Sequence, residues 1–159
     1  MANQDPQPEV YSTTHTFAGA AVAGTSNVVS IFTNQANNEE VRLYAVGVEM
    51  LDATTGAVLA AALDYSVSIQ VGPNNVPSNA FSAGYIFSKN DRTLAFSSPI
   101  LCLFQQPLQI TVTTNQAVGA NGSDIKITLI GELAIQKIAV HAGDWEHQMN
   151  SMGPQPRQR

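Results

Sequence analysis

The sequence predicts an all-β fold: an antiparallel two-sheet sandwich, of the jelly-roll kind, with extended N- and C-terminal arms. Three observations carry this. Short runs rich in Val, Ile, Thr and aromatic residues alternate apolar and polar side chains, the period of a strand with one buried face. Clusters of Gly, Pro, Asn and Asp separate those runs. No long segment repeats its apolar residues with a helical period, and several connections are too long for the tight hairpins of an up-and-down meander.

Residues 1–8 are polar, and Pro6 and Pro8 favour an extended arm. "EVYSTTHTF", 9–17, alternates and forms the first expected strand, with His15 on its solvent side. "TSNVVSIFTN", 25–34, is the second, after a linker of small residues. "VRLYAVGVEML", 41–51, is a long strand in which Val41, Leu43 and Ala45 share a face and Gly47 permits a bulge or a close backbone approach. "AVLAAAL", 57–63, is ambiguous, being alanine-rich yet too short for a convincing helix. "DYSVSIQV", 64–71, alternates cleanly, with Tyr65, Val67, Ile69 and Val71 inward. "GPNNVPSN", 72–79, is a loop, and "AFSAGYIFS", 80–88, a weaker strand. "KNDR", 89–92, is a charged turn in which Asp91 and Arg92 pair or cap. "TLAFSSPILCLF", 93–104, is one bent strand or two short ones meeting at Pro99. "PLQITVTTN", 107–115, puts Leu108, Ile110 and Val112 on one face. An Asn-Gly turn then leads into 125–138, with Ile125, Ile127 and Leu129 inward. The expected organisation is therefore an arm at 1–8, one sandwich domain at 9–138 and a C-terminal extension at 139–159.

Composition narrows the function. Of the 159 residues 44% are hydrophobic and only 12% are charged, about half the usual ~25% charged share. Low charge suits a domain whose surface meets neighbours, because interface cores are depleted in charge. A net charge of −5, with no basic stripe, speaks against general nucleic-acid binding. The polar N-terminus has no basic or apolar signal region. "FAGAAVAG", 17–24, is far shorter than the ~20 residues of a membrane span. These features lead to the expectation of a protein made in a cytoplasm with no membrane partner. Cys102, in the apolar run "PILCLF", reads as a small buried hydrophobe.

The densest group of ionisable residues is "HAGDWEHQMN", 141–150, with His141, Asp144, Glu146 and His147 around the single Trp145. A spacing of six puts two helical histidines on opposite faces, and zinc needs three or four converging ligands. No metal or catalytic site is expected there. Trp145, with Met149 and Met152 near it, reads instead as an anchor, on another subunit or on its own domain. "AGAAVAGTS", 18–26, has no lysine and precedes a strand, so it is not a phosphate loop. Glu39 and Glu40 read as a solvated loop end rather than an acid–base pair, and no G-x-S-x-G occurs. Asn121-Gly122-Ser123 matches a glycosylation acceptor, but the turn already accounts for Asn-Gly. No catalytic residue, cofactor or metal is assigned, and the protein is not expected to be an enzyme.

One stretch resembles a known group. In 97–134 a Pro-bounded apolar strand (Pro99, Pro107) leads into Leu108-x-Ile110-x-Val112, then a polar turn, then Ile127, Leu129 and Gly131. This is similar to small jelly-roll decoration (cement) or minor structural proteins of tailed-phage capsids. The resemblance covers about a quarter of the chain and is structural, not catalytic. It implies a virion protein, often trimeric, that clamps neighbouring major capsid subunits by non-covalent contacts. The alternative is a carbohydrate- or receptor-binding module of a fibre or tail head, for which Tyr85, Phe87 and loop 72–79 are the candidate platform. A cupin-type enzyme is the weakest reading, since only His15 lies in an expected strand.

Overall fold

The computed structural model describes residues 5–36 and 38–135. Along these the chain forms β1 (Gln7–Phe17), β2 (Ser26–Thr33), β3 (Glu39–Asp52), β4 (Tyr65–Val71), β5 (Asn74–Asn75) and β6 (Phe81–Ser82). A short helix α1 (Ala83–Phe87) follows, then β7 (Thr93–Cys102), β8 (Pro107–Thr114) and β9 (Ser123–Ile135). One sheet has the order β1-β9-β3-β7. The other has the order β2-β8-β4-β5, with β6 also on β4. Every pairing is antiparallel. The pairing is nested: β1 with β9, β2 with β8, β3 with β7, and β4 with β5 and β6.

The two sheets bury their inner faces against each other because alternation holds along most strands. Burial switches residue by residue along β4, β8 and most of β9. Val67, Ile69, Leu108, Ile110 and Val112 of one sheet meet Val46, Val48, Ile125, Ile127 and Leu129 of the other in a single core. Each such side chain contributes about 1.5–3 kcal/mol on leaving water.

β3 departs from the expected facing. Val41 and Leu43 point inward, but so do Val46, Val48 and Met50, while Ala45 is half-exposed. The cause is a bulge. Leu43 faces Gly131 and Ala45 faces Ile130, so Tyr44 is an extra residue against β9. One inserted residue moves every later side chain to the opposite face. The bulge is therefore at Tyr44, not at Gly47, and the close backbone approach belongs to Gly131. A Cβ on Gly131 would lie 2.1 Å from the Arg42 carbonyl oxygen.

Three other elements differ from expectation. β1 begins at Gln7, so the strand takes up the last residues of the expected arm. Residues 93–102 form one strand through Pro99 at the sheet edge, where proline removes no ladder bond. Its register on β3 jumps from Ile100 opposite Leu43 to Ala95 opposite Ala45. The expected strand over 80–88 is mostly helix. Ser82 caps it, accepting from the Tyr85 N–H at 3.2 Å. Ala83, Ile86 and Phe87, at helical spacing, are buried.

Gly131→Ala is expected to destabilise the domain by about 1–3 kcal/mol, the cost of forcing atoms into a filled space, read as a lowered urea midpoint. An unchanged midpoint would show that the bulge relaxes freely.

Candidate functional site

The expected anchor, Trp145 with Met149 and Met152, lies outside the described residues, as do His141, Asp144, Glu146 and His147. Among the described residues no group of three His, Cys, Asp or Glu residues converges as metal ligands. No helix among them is long and apolar enough to cross a membrane.

His15 is a correction. It is not on the solvent side but fully buried, in the seam where β1 of one sheet passes β2 of the other. Its Nδ1 lies 3.2 Å from the Asn27 carbonyl oxygen. A carbonyl only accepts, so Nδ1 carries the proton, and Nε2 is left buried without a partner. Burial lowers the pKa of this imidazole, against a smaller upward pull from Asn27. The same seam holds Tyr11 stacked on Phe32 at 4.7 Å between ring centres. Strict alternation along "EVYSTTHTF" puts His15 on the face of Tyr11 and Phe17, and that signal was present in the sequence.

Glu39 and Glu40 do not form a dyad. As neighbours in a strand their side chains leave opposite faces. Glu40 is buried rather than solvated, and accepts from Arg42 Nε. Arg42 also reaches Glu132 at 3.6 Å, and the Tyr44 hydroxyl donates to Glu132. Cys102 is buried, and burial pushes its thiol up to about 11, so it stays protonated and inert at neutral pH. Asp91 caps its turn, accepting from the Thr93 N–H at 3.2 Å, while Arg92 stacks over the Phe87 ring at 4.7 Å instead of pairing with it. That leaves the aromatic platform incomplete: Tyr85 is 64% exposed, but Phe87 is buried. Ser123 of the glycosylation motif is buried and bonded to the Tyr65 hydroxyl.

The surfaces with a distinct character are the two outer sheet faces. On the β1-β9-β3-β7 sheet, Val10, Tyr44 and Ile130 are exposed side by side. Ion pairs flank them: Lys126 with Glu49 at 3.2 Å, and the Arg42 group. The opposite face is different. β2 presents Ser26, Val28 and Ser30; β8 presents Gln109, Thr111 and Thr113; β4 presents Ser66, Ser68 and Gln70. Along these three strands no charged side chain stands on that face; Asp64, just before β4, sits at its margin, accepting from the Asn115 amide at 2.9 Å, whose oxygen accepts from Ser66. Cross-strand hydroxyl pairs such as Ser26 with Thr113, 2.7 Å apart, tie its side chains together.

This is an antiparallel β-sandwich whose described surface offers contact faces and clefts. No family model matches the sequence, and no curated protein matches it. A solved structure described as that of the infectious bursal disease virus Gx strain matches 95% of this chain at 8% identity and a TM-score of 0.28. This chain spans 50% of that chain's length. An overlap that loose carries no structural equivalence.

His15 makes stability depend on pH. The unfolded chain takes up its proton near ~6.5, and the buried imidazole only at lower pH. Its contribution is thus complete above ~6.5 and is lost as pH falls from there through the folded value. The urea midpoint is expected to drop on acidification, and His15→Leu to flatten that drop. An identical pH profile in the two proteins would show that His15 titrates alike folded and unfolded.

Proposed function

We propose that this protein is a structural virion protein that decorates or cements a capsid, without catalysis or cofactor, through non-covalent contacts with major capsid subunits. The observation that supports this best is the uncharged hydroxyl-and-amide face of the β2-β8-β4 sheet. A surface that meets only water is normally rich in charge, and interface cores are depleted in it. The nested strand pairing is also compatible with a jelly roll, an architecture used by capsid domains and by lectins. Between these the virion reading is favoured, because Tyr85 has no second exposed aromatic in its helix to build a sugar platform. Trp145, Met149 and Met152 would add an anchor on a neighbour, and a trimer is the expected self-assembly.

Light scattering on the eluting protein is expected to give about 51 kDa, three copies of the 16.9 kDa chain. Particles purified from the source should carry the chain at stoichiometric levels. Its absence from them would refute the virion reading whatever the solution mass.

A further inference from the structure

A ring of three cannot be built on one self-complementary patch; it needs two different surfaces that fit each other. Two such surfaces stand apart on this molecule by their charge.

The described Lys and Arg are Arg42, Lys89, Arg92 and Lys126. Arg42 and Lys126 are ion-paired on the outer sheet face. Lys89 and Arg92 have no carboxylate partner among the described residues, and both line one cleft of about 520 Å³. Its other wall is the apolar run Leu59–Ala62. Lys89 Nζ donates to the Thr93 carbonyl oxygen at 2.7 Å, which tethers the ammonium beside the cleft wall without neutralising it, and the Arg92 guanidinium lies 4.7 Å over the Phe87 ring. Arg92 holds a left-handed φ of 50°, uncommon for a residue with a side chain. Its carbonyl accepts from Val48 N–H at 3.0 Å, anchoring that backbone to β3. Among the described residues both positive groups thus have no carboxylate partner, in a protein of net charge −5.

The complement lies near the start of β3. Asp5 and Glu39 line a groove of about 170 Å³ with Gln7, Leu133 and Ile135. Neither they nor nearby Glu9 has an ion-pair partner among the described residues. Glu9 and Glu39 both help to raise the Tyr11 pKa, after burial, so their fields overlap there. Gly47, which meets the Arg92 backbone, and Glu39 are eight residues apart on β3; at about 3.3 Å per residue that is about 26 Å. Over that span the described acidic end of one molecule cannot reach its own cleft.

We infer that the Lys89–Arg92 cleft receives the acidic Asp5–Glu39 end of a second copy of this chain, head to tail. The inference rests on the assembly part of the proposed function and names its contact. Opposite unpaired charges steer the two ends together and set their register, and the alanine wall admits backbone closely.

The test is a charge-exchange series in the full chain, followed by light scattering over a concentration range at low and high salt. Lys89→Glu with Arg92→Asn (asparagine tolerates the left-handed φ) is expected to weaken self-association roughly a hundredfold. Asp5→Lys with Glu39→Lys should do the same, and all four changes in one chain should restore assembly. Far-ultraviolet circular dichroism checks that each variant keeps its β structure. A folded cleft variant that assembles like the wild type overturns the contact, as does a folded fourfold variant that fails to assemble. A wild-type chain monomeric at every concentration, yet retained by anionic sugar in a salt-sensitive way, overturns the second-copy occupant. Particle content separates the two readings: the chain in particles with an inert cleft variant sinks only this contact. Salt-sensitive assembly of a chain missing from particles sinks only the virion role.

Discussion

The fold depends on β3 serving two neighbours at once, and it does so only because its side chains change face at Tyr44. Without the inserted residue, the strand that buries Val41 and Leu43 would bury Ala45 and Gly47 next and send Val46, Val48 and Met50 to solvent. Three large apolar side chains would leave the core. The bulge requires the opposing strand to come close, and Gly131 allows this by having no Cβ to meet the Arg42 carbonyl. The same bulge pushes Tyr44 outward, where its hydroxyl reaches Glu132 beside the Arg42 and Glu40 pair. One inserted residue therefore sets both the core and the charged cluster on the sheet's outer face.

The two sheets share no backbone ladder, so their relation is set by side chains. At one end Phe17 packs against Tyr65 at 5.0 Å, and the buried Tyr65 hydroxyl bonds Ser123 of the opposite sheet. Along the seam, Tyr11 stacks on Phe32 and His15 reaches Asn27. These polar contacts are directional, unlike the aliphatic core, and a satisfied buried hydrogen bond specifies one alignment among many of similar burial. His15 is the imperfect member, since its Nε2 forfeits a bond. A buried polar atom without a partner costs about 1–3 kcal/mol, and acid adds to this the cost of charging the imidazole inside the seam.

The strands were legible in the sequence wherever alternation was unbroken. "DYSVSIQV" and "PLQITVTTN" gave both strand and facing, because a period of two needs no tertiary information. The facing of β3 was not legible past Leu43, because a bulge is a relation between strands and Gly131, its partner, lies far along the chain. In 80–88 the apolar spacing of Ala83, Ile86 and Phe87 was a helical signal outweighed by aromatic content. The burial of His15 was readable from its parity with Phe17, but its polarity and threonine neighbours argued for solvent. The cleft was beyond sequence: Lys89 and Arg92 were visible as a charged turn, while their lack of carboxylate partners depends on where Asp91 and Glu49 point.

Charge on this molecule is scarce, so its placement has consequences that a richer surface would blur. Opposite charges in contact on one sheet face, as with Lys126 and Glu49, cancel at range and leave little field for a partner. Among the described residues, charges without ion-pair partners stand at two separated ends of the sandwich, and such charges are felt over the ~8 Å of physiological screening. On the proposed contact, two such molecules attract end to end and repel when like ends meet. The face formed by β2, β8 and β4, rich in hydroxyls and amides, carries no charge along its strands, so a partner there has hydrogen bonds to match rather than ions to strip of water. In the proposed assembly orientation is then decided by a few charged groups, and contact area is supplied by polar groups that keep hydrogen-bond partners. That division of labour follows from a chain that keeps only 12% of its residues charged.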